Sequence, residues 1–337
     1  MPDNLSFPDV ATLASPLYLL LLVLELVLMR LHLVRAHYET RDSAASLTMG
    51  LGYVITGLLS GLAIGGAISA AMFWAYGHRL FDLGTSVWVV AACFLIDDMR
   101  YYWAHRFMHR IRWLWASHVV HHSSQHFNFA TALRQPWTSA VTGMFVLKLP
   151  LAFLGFHPAI LIFVSSLNLL YQFWVHTESI GRMPRWFEAV MNTPSHHRVH
   201  HGSNPRYLDA NYAGTLIVWD KLFGTFVPEL DREPVKYGLV HDLGTFNPLR
   251  IAVHEYVGIF KDQARRGLRL RDRFMYLFGP PGWSHDGSRD DTDRIKAAYL
   301  RRHPDQAGTP GLPAPATAPP APARLLGEEV ADAAGSQ

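Results

Sequence analysis

Three short segments concentrate the chemistry of this chain: "HRFMH" with His105 and His109, "HVVHH" with His118, His121 and His122, and "HRVHH" with His197, His200 and His201. On a helix, side chains three and four residues apart share a face, with Cβ atoms about 5–6 Å apart. Each box therefore presents two or three imidazoles toward one point. A lone His-x-x-x-His pair arises easily by chance, but two repeats of His-x-x-His-His beside a third pair point to metal ligation. The single cysteine, Cys93, excludes a thiolate cluster and an internal disulfide. Glu-x-x-His, the pattern of soluble di-iron carboxylate bundles, occurs nowhere in the sequence. Eight or more imidazoles exceed the four ligands of a structural zinc and the three of a catalytic one, so the boxes imply two metals. Imidazole suits Zn, Cu, Fe and Ni alike, and ligand type alone does not name the metal. His176, in "QFWVHTE", is placed as an additional ligand, and His196, just before the third box, as a ligand or its support. His126, His157, His241 and His254 read as structural or supporting histidines, and His32, His37, His78, His285 and His303 as solvated or interfacial ones.

The elements that must carry these boxes are oily: half of the 337 residues are hydrophobic and only 17% are charged. A helix needs about 20 apolar residues to cross a bilayer. Candidate spans are Ser15 to Val34, a stretch within Ser46 to Trp74, and Thr85 to about Trp103. Ser139 to Val175 adds a short hairpin, partly re-entrant, folded at "GFHP" (155–158). The first run lacks a signal-peptide cleavage site and is expected to be retained. The Gly-rich part of the second run suits close helix packing. Arg30, Arg35 and Arg41, then Arg100, Arg106, Arg110, Arg112 and Arg134, mark two cytoplasmic segments by the positive-inside rule. All three boxes then face the cytoplasm. The expected fold is all-α: an integral membrane helical bundle of about four to five transmembrane helices with a cytoplasmic, histidine-rich di-metal cap. Lys148 is expected to snorkel, and Glu25 to make a polar contact inside the bundle. The net charge of +3 is scattered beside apolar runs, which excludes a nucleic-acid stripe. Domain boundaries are expected at 1–96 for the amino-terminal transmembrane helices, 97–248 for the His-box catalytic domain and 249–303 for a cytoplasmic helical segment. The Pro/Ala-rich tail 304–337 is expected to be disordered.

Two metals at the mouth of an apolar bundle sit over whatever lies in the bilayer. Breaking an unactivated C–H bond there needs an oxidant made from O2, which non-haem iron supplies. Two rivals follow: a desaturase on the same scaffold, and a membrane metal-binding or transport protein. A transporter places its ligands near the bilayer midplane on broken helices, whereas these boxes lie beyond the span ends.

The segments "DDMRYYWAHRFMHR" (97–110), "WASHVVHHSSQHFNFATALRQ" (115–135), "LNLLYQFWVHTE" (167–178), "NTPSHHRVHHGSNPRYLDANYAGTLIVWDKLFGTF" (192–226) and "KYGLVHDLGTFNP" (236–248) together resemble the fatty acid hydroxylase/sterol desaturase superfamily of membrane di-iron enzymes. The likeness is nearest to its branch acting on alkylglycerol ether lipids. It implies two irons held by the eight box histidines with His176 and His196, and supporting roles for Asp98, Asn211 and Asp220 in orienting imidazoles. It further implies a membrane lipid substrate, O2, and electrons from tetrahydrobiopterin or an external electron donor. Two positions depart from the ether-lipid branch: Arg110 and His126 stand where acidic residues are usual.

Overall fold

The computed structural model describes residues 7–8 and 10–314. Among them there are helices and loops but no strand, as the all-α expectation requires. α1 (Ser15–Arg30) has 16 residues, about 24 Å at 1.5 Å per residue, short of the roughly 30 Å hydrocarbon core. It stops where His32 takes a left-handed φ of 57°. α2 (Thr40–Gly77) runs for 38 residues through a π turn at Gly61–Gly65, and its apolar surface faces outward. Among the described residues it is the one helix long and apolar enough to cross a membrane.

α3 (Val87–Arg110) starts at a Ser86 cap, whose hydroxyl accepts the Val89 N–H, and runs unbroken from "VWVVAACFLI" into the first histidine box. Asp97 and Asp98 interrupt its apolar character. Asp97 holds Arg100 at 2.5 Å and accepts from the Ser165 hydroxyl at 2.8 Å. One extended residue, Ile111, separates α3 from α4 (Arg112–His122). α5 (Phe129–Ala132) is a single turn with a capping box at Asn128. α6 (Met144–Leu154) and α7 (Pro158–Trp174) form the expected hairpin and are both shorter than a crossing. Gly155 turns between them at φ 119°, where a Cβ would collide with the Phe81 carbonyl. α8 (Pro194–His200) carries the third box, and α9 (Pro248–Gln263), α10 (Leu270–Phe278) and α11 (Thr292–Arg302) complete the order.

Three apolar clusters hold these helices around the histidines. One joins the ends of α2, α3, α6 and α7 through Met72, Cys93, Leu151 and Ile160. Another packs Leu22 on Phe129 and Phe173. The last packs Ala45 and Met49 of α2 on Val120 of α4 and on Ile251 and Ala252 of α9.

Two expectations change. The Gly-rich stretch of α2 packs on no other described part of the chain: a Cβ on Gly57, Gly61, Gly65 or Gly66 would meet nothing within 4 Å among the described residues. The close approach lies one or two turns earlier, where a Cβ on Gly52 would overlap the Trp137 ring. The tail boundary also moves. Residues 304–314 fold back, with Arg206 bonding Thr309 and the Pro310 carbonyl, while 315–337 lie outside the described residues.

Candidate metal centre

α3 delivers His105 and His109, α4 delivers His118, His121 and His122, the residue two beyond α7 is His176, and α8 with its C-cap delivers His197, His200 and His201. These nine sort into two groups. His105, His109, His118, His122 and His200 form one, and His121, His176, His197 and His201 the other, with ligand nitrogens inside each group within 4.8 Å of one another. All nine are buried. The groups adjoin, as the His122 and His201 rings stack with centroids 4.4 Å apart.

The second and third boxes do not each aim at one point, contrary to the simple reading of their spacing, whereas the first does. At 100° per residue, i and i+4 lie 40° apart, while i+3 lies 60° to the other side. His118 and His122 thus share a group and His121 turns to the other; His197 and His201 pair, and His200 turns away. α4 and α8 use the same spacing in opposite senses, so each bridges both groups.

The second nitrogen of several rings is fixed by the main chain. Nδ1 of His105 faces the Tyr212 carbonyl at 2.9 Å, that of His200 the Ala210 carbonyl at 2.9 Å, that of His176 the Gln172 carbonyl at 2.8 Å and that of His121 the Arg134 carbonyl at 3.2 Å. A carbonyl only accepts, so each of these Nδ1 atoms carries the proton and each Nε2 is a bare lone pair. Yet His121 Nε2 and His176 Nε2 lie 3.0 Å apart, and His197 Nε2 lies 2.9 Å from His176 Nε2. Two facing lone pairs require a cation between or beside them. A proton is disfavoured, because burial pushes His176 down to about 4 and His121 well below its usual range, with neighbouring imidazoles adding to the effect at His121. The same causes take His105 to about 3. Separations of 2.9–3.1 Å also recur in the first group, His105 and His122 each approaching His118. They suit two ligands of one ion at the usual metal–nitrogen distance of about 2.0–2.1 Å. The Nε2 atoms of His109, His200 and His201 are buried without a hydrogen-bond partner. The donor sets therefore fit one metal ion in each group.

The remaining expected site residues act at a remove. Asp98 touches no imidazole; it accepts from Thr215 N, Leu216 N, Trp219 Nε1 and Asn168 Nδ2 at 2.6–3.0 Å, tying α3 to α7 and to the loop after α8. Asp220 accepts from Tyr212 N and Ala213 N, both at 2.8 Å, and so steadies the carbonyl that holds His105. Asn211, at φ 55°, donates to the His196 and Val227 carbonyls. His196 joins neither group: its ring edge meets Phe226 with centroids 5.4 Å apart, and its neighbour in charge is Glu188. Its position 100° from His197 on α8 turns it away from both groups.

Other supports carried little signal in the sequence. Asp209, also left-handed at φ 55°, lies 3.7 Å from His109 Nδ1 and pairs with Arg110 at 2.8 Å. Arg134, 1% exposed, is pinned by Asp42 of α2 at 2.9 Å while its carbonyl holds His121. Glu25 gains the partners its burial demanded: it accepts from Tyr38, Thr177 and Ser179 hydroxyls and from Phe129 N, and so holds the residue that follows His176. On the far side, a cavity of about 270 Å³ opens onto His109, His122, His200 and His201, with Trp115, Asp209 and Glu255 in its wall.

The fatty acid hydroxylase model matches residues 90–225, which contain every one of the nine histidines. Alkylglycerol monooxygenase of Homo sapiens is 38% identical over 278 residues, 82% of this chain and 60% of that protein. Its counterpart in Danio rerio is 42% identical over 290 residues, 84% and 63% respectively. A cholesterol 25-hydroxylase-like protein of Danio rerio is 34% identical over 149 residues, 41% of this chain and 55% of that protein. The chain thus spans less than two thirds of the length of these relatives. No solved structure matches it significantly.

Proposed function

The chain belongs to the fatty acid hydroxylase family through residues 90–225, and from that premise we propose that it is a membrane-bound, non-haem di-iron monooxygenase that hydroxylates a lipid C–H bond, with alkylglycerol ether lipids as the substrate class. One iron is assigned to His105, His109, His118, His122 and His200, the other to His121, His176, His197 and His201. The facing lone pairs of His121 and His176 carry this reading, because the main chain has already used both of their protons. When bound, the iron pair supplies activation of O2. The protein holds each imidazole neutral by burial, fixes its tautomer with a carbonyl, and keeps the centre dry beneath Phe127, whose ring lies 5.0–6.1 Å from those of His176, His197 and His201.

The electrons come from outside these residues, from tetrahydrobiopterin or an external donor, and the cap cavity beside His109 and His122 is their approach. In this reading α2 crosses the bilayer as one of four to five transmembrane helices, with the centre on the cytoplasmic side; the length and apolar surface of α2 support it. Hydroxylation is preferred to desaturation because the relatives above are named as monooxygenase and hydroxylase.

The test is metal analysis of the purified protein followed by mass spectrometry of an alkylglycerol incubated with it, O2 and reductant. Two irons per chain and a gain of one oxygen are expected. Loss of two hydrogens from the lipid would make it a desaturase. A fully loaded centre that consumes no O2 with any lipid would make it a metal-binding protein.

A further inference from the structure

α9 is apolar on two sides. Ile251, Ala252, Tyr256 and Ile259 are buried against the bundle, while Leu249, Val253, Val257 and Phe260, spaced by four, four and three residues, are 66, 41, 43 and 64% exposed. Such spacing aligns them on one stripe. On α10, Leu270, Phe274 and Phe278 recur every four residues at 86, 60 and 47% exposure. An apolar surface of this extent marks an interaction site, and no described part of the chain covers it.

Charge and position identify what does. Pro248 to Phe278 holds seven Lys and Arg against three acidic residues. The three acids are internally neutralised: Glu255 and Asp262 by Arg112, Asp262 again by Arg265 and Arg289, and Asp272 by Arg269. Lys261, Arg266 and Arg271 are exposed and have no acidic partner among the described residues. Meanwhile Ile251 and Ala252 pack on Ala45 and Met49, which lie five and nine residues into α2, about 8 and 14 Å from its start. α9 therefore lies alongside the entry end of the one helix of membrane-spanning length and composition.

We propose that α9 and α10 lie flat on an anionic bilayer surface beside α2, their apolar stripes sunk at the headgroup and acyl boundary and Lys261, Arg266 and Arg271 on anionic headgroups. A helix with an apolar stripe and basic flanks binds in this way. The consequence is that the segment expected to be a plain cytoplasmic helical extension is a membrane-contacting strap. Through His254 and Glu255 on α9 it also forms a wall of the cap cavity.

Val257→Cys and Phe274→Cys, each labelled with a polarity-sensitive nitrobenzoxadiazole dye in the full chain, test this; the native Cys93 is fully buried and stays unlabelled. In vesicles of phosphatidylcholine with phosphatidylglycerol, both labels are expected to shift to the blue. They should be quenched by a spin label near the lipid headgroup and shielded several-fold from aqueous iodide. Iodide quenching as complete as in the denatured chain would overturn the proposal. So would shielding that vanishes on dilution of the protein among vesicles, since that outcome makes a second copy the occupant. Arg266→Glu combined with Arg271→Glu should abolish the preference for anionic over neutral vesicles, and an unchanged preference refutes the role of charge. If that double variant fails to retain its metal, the two cysteine labels on the native charge set still decide.

Discussion

The two histidine groups share α4 and α8 yet are held from opposite sides of the molecule. The first hangs on a single loop after the third box. Asp209, Ala210 and Tyr212 of that loop face His109, His200 and His105, and two of its residues, Asp209 and Asn211, hold left-handed conformations that cost a non-glycine residue about 1–2 kcal/mol. The second group hangs on the amino-terminal helices, through Glu25 of α1 holding the residue that follows His176 and Asp42 of α2 behind Arg134. The first presents His109, His122 and His200 to the cap cavity, while the second reaches it only through His201 and lies against Phe127. Ligands alone do not make this centre; two unrelated parts of the chain must each be in place, so the two sites should fail separately.

The largest effect should come from the ligands. His176→Ala and His200→Ala are each expected to lower activity by more than about 100-fold and to bring metal content from two ions toward one, while membrane insertion persists. Turnover at the native rate in either variant would break the division into two groups. A smaller and more diagnostic effect is expected from the supports. Asn211→Ala should weaken one ion by roughly 10–100-fold and Glu25→Ala the other. In a His200→Ala background, Asn211→Ala should then add little, whereas Glu25→Ala should remove the remaining ion. Additive loss from both would show that the supports are not divided. His196→Gln is expected to keep both ions bound, since His196 faces neither group, and loss of one would reassign it. The smallest effect is His285→Ala. It deletes one part-buried hydrogen bond to the Tyr276 hydroxyl at 2.8 Å, worth about 1 kcal/mol in thermal stability, with metal content and activity unchanged.

The gathering of these histidines was legible because residue type and spacing carry the signal, and His176 could be placed among them from where its helix ends. Their division was not legible, since which way an i+3 side chain turns matters only once a neighbouring helix supplies the other ligands. The main-chain carbonyls that fix the tautomers leave no trace in side-chain chemistry. Asp209, Arg134 and Asp42 read as ordinary charged residues, and only Glu25 stood out, as a carboxylate inside an apolar run. Hydropathy marked more candidate spans than the one helix that is long and apolar enough among the described residues. It registers apolar composition but not where His32 turns the backbone or where Asp97 and Asp98 find partners on α7 and beyond.

α3 connects an apolar stretch to His105 and His109 without a break, which makes it a ruler. With a rise of about 1.5 Å per residue, the height of the centre above the start of the helix is set by counting residues between Val87 and His105. Lengthening α3 and α7 together by one turn would raise the centre by about 5.4 Å and, under the proposed function, would move the point of attack along a lipid held at fixed depth. Under the proposed hydroxylation, the carbon oxidised would then be set by helix length rather than by the contents of any pocket.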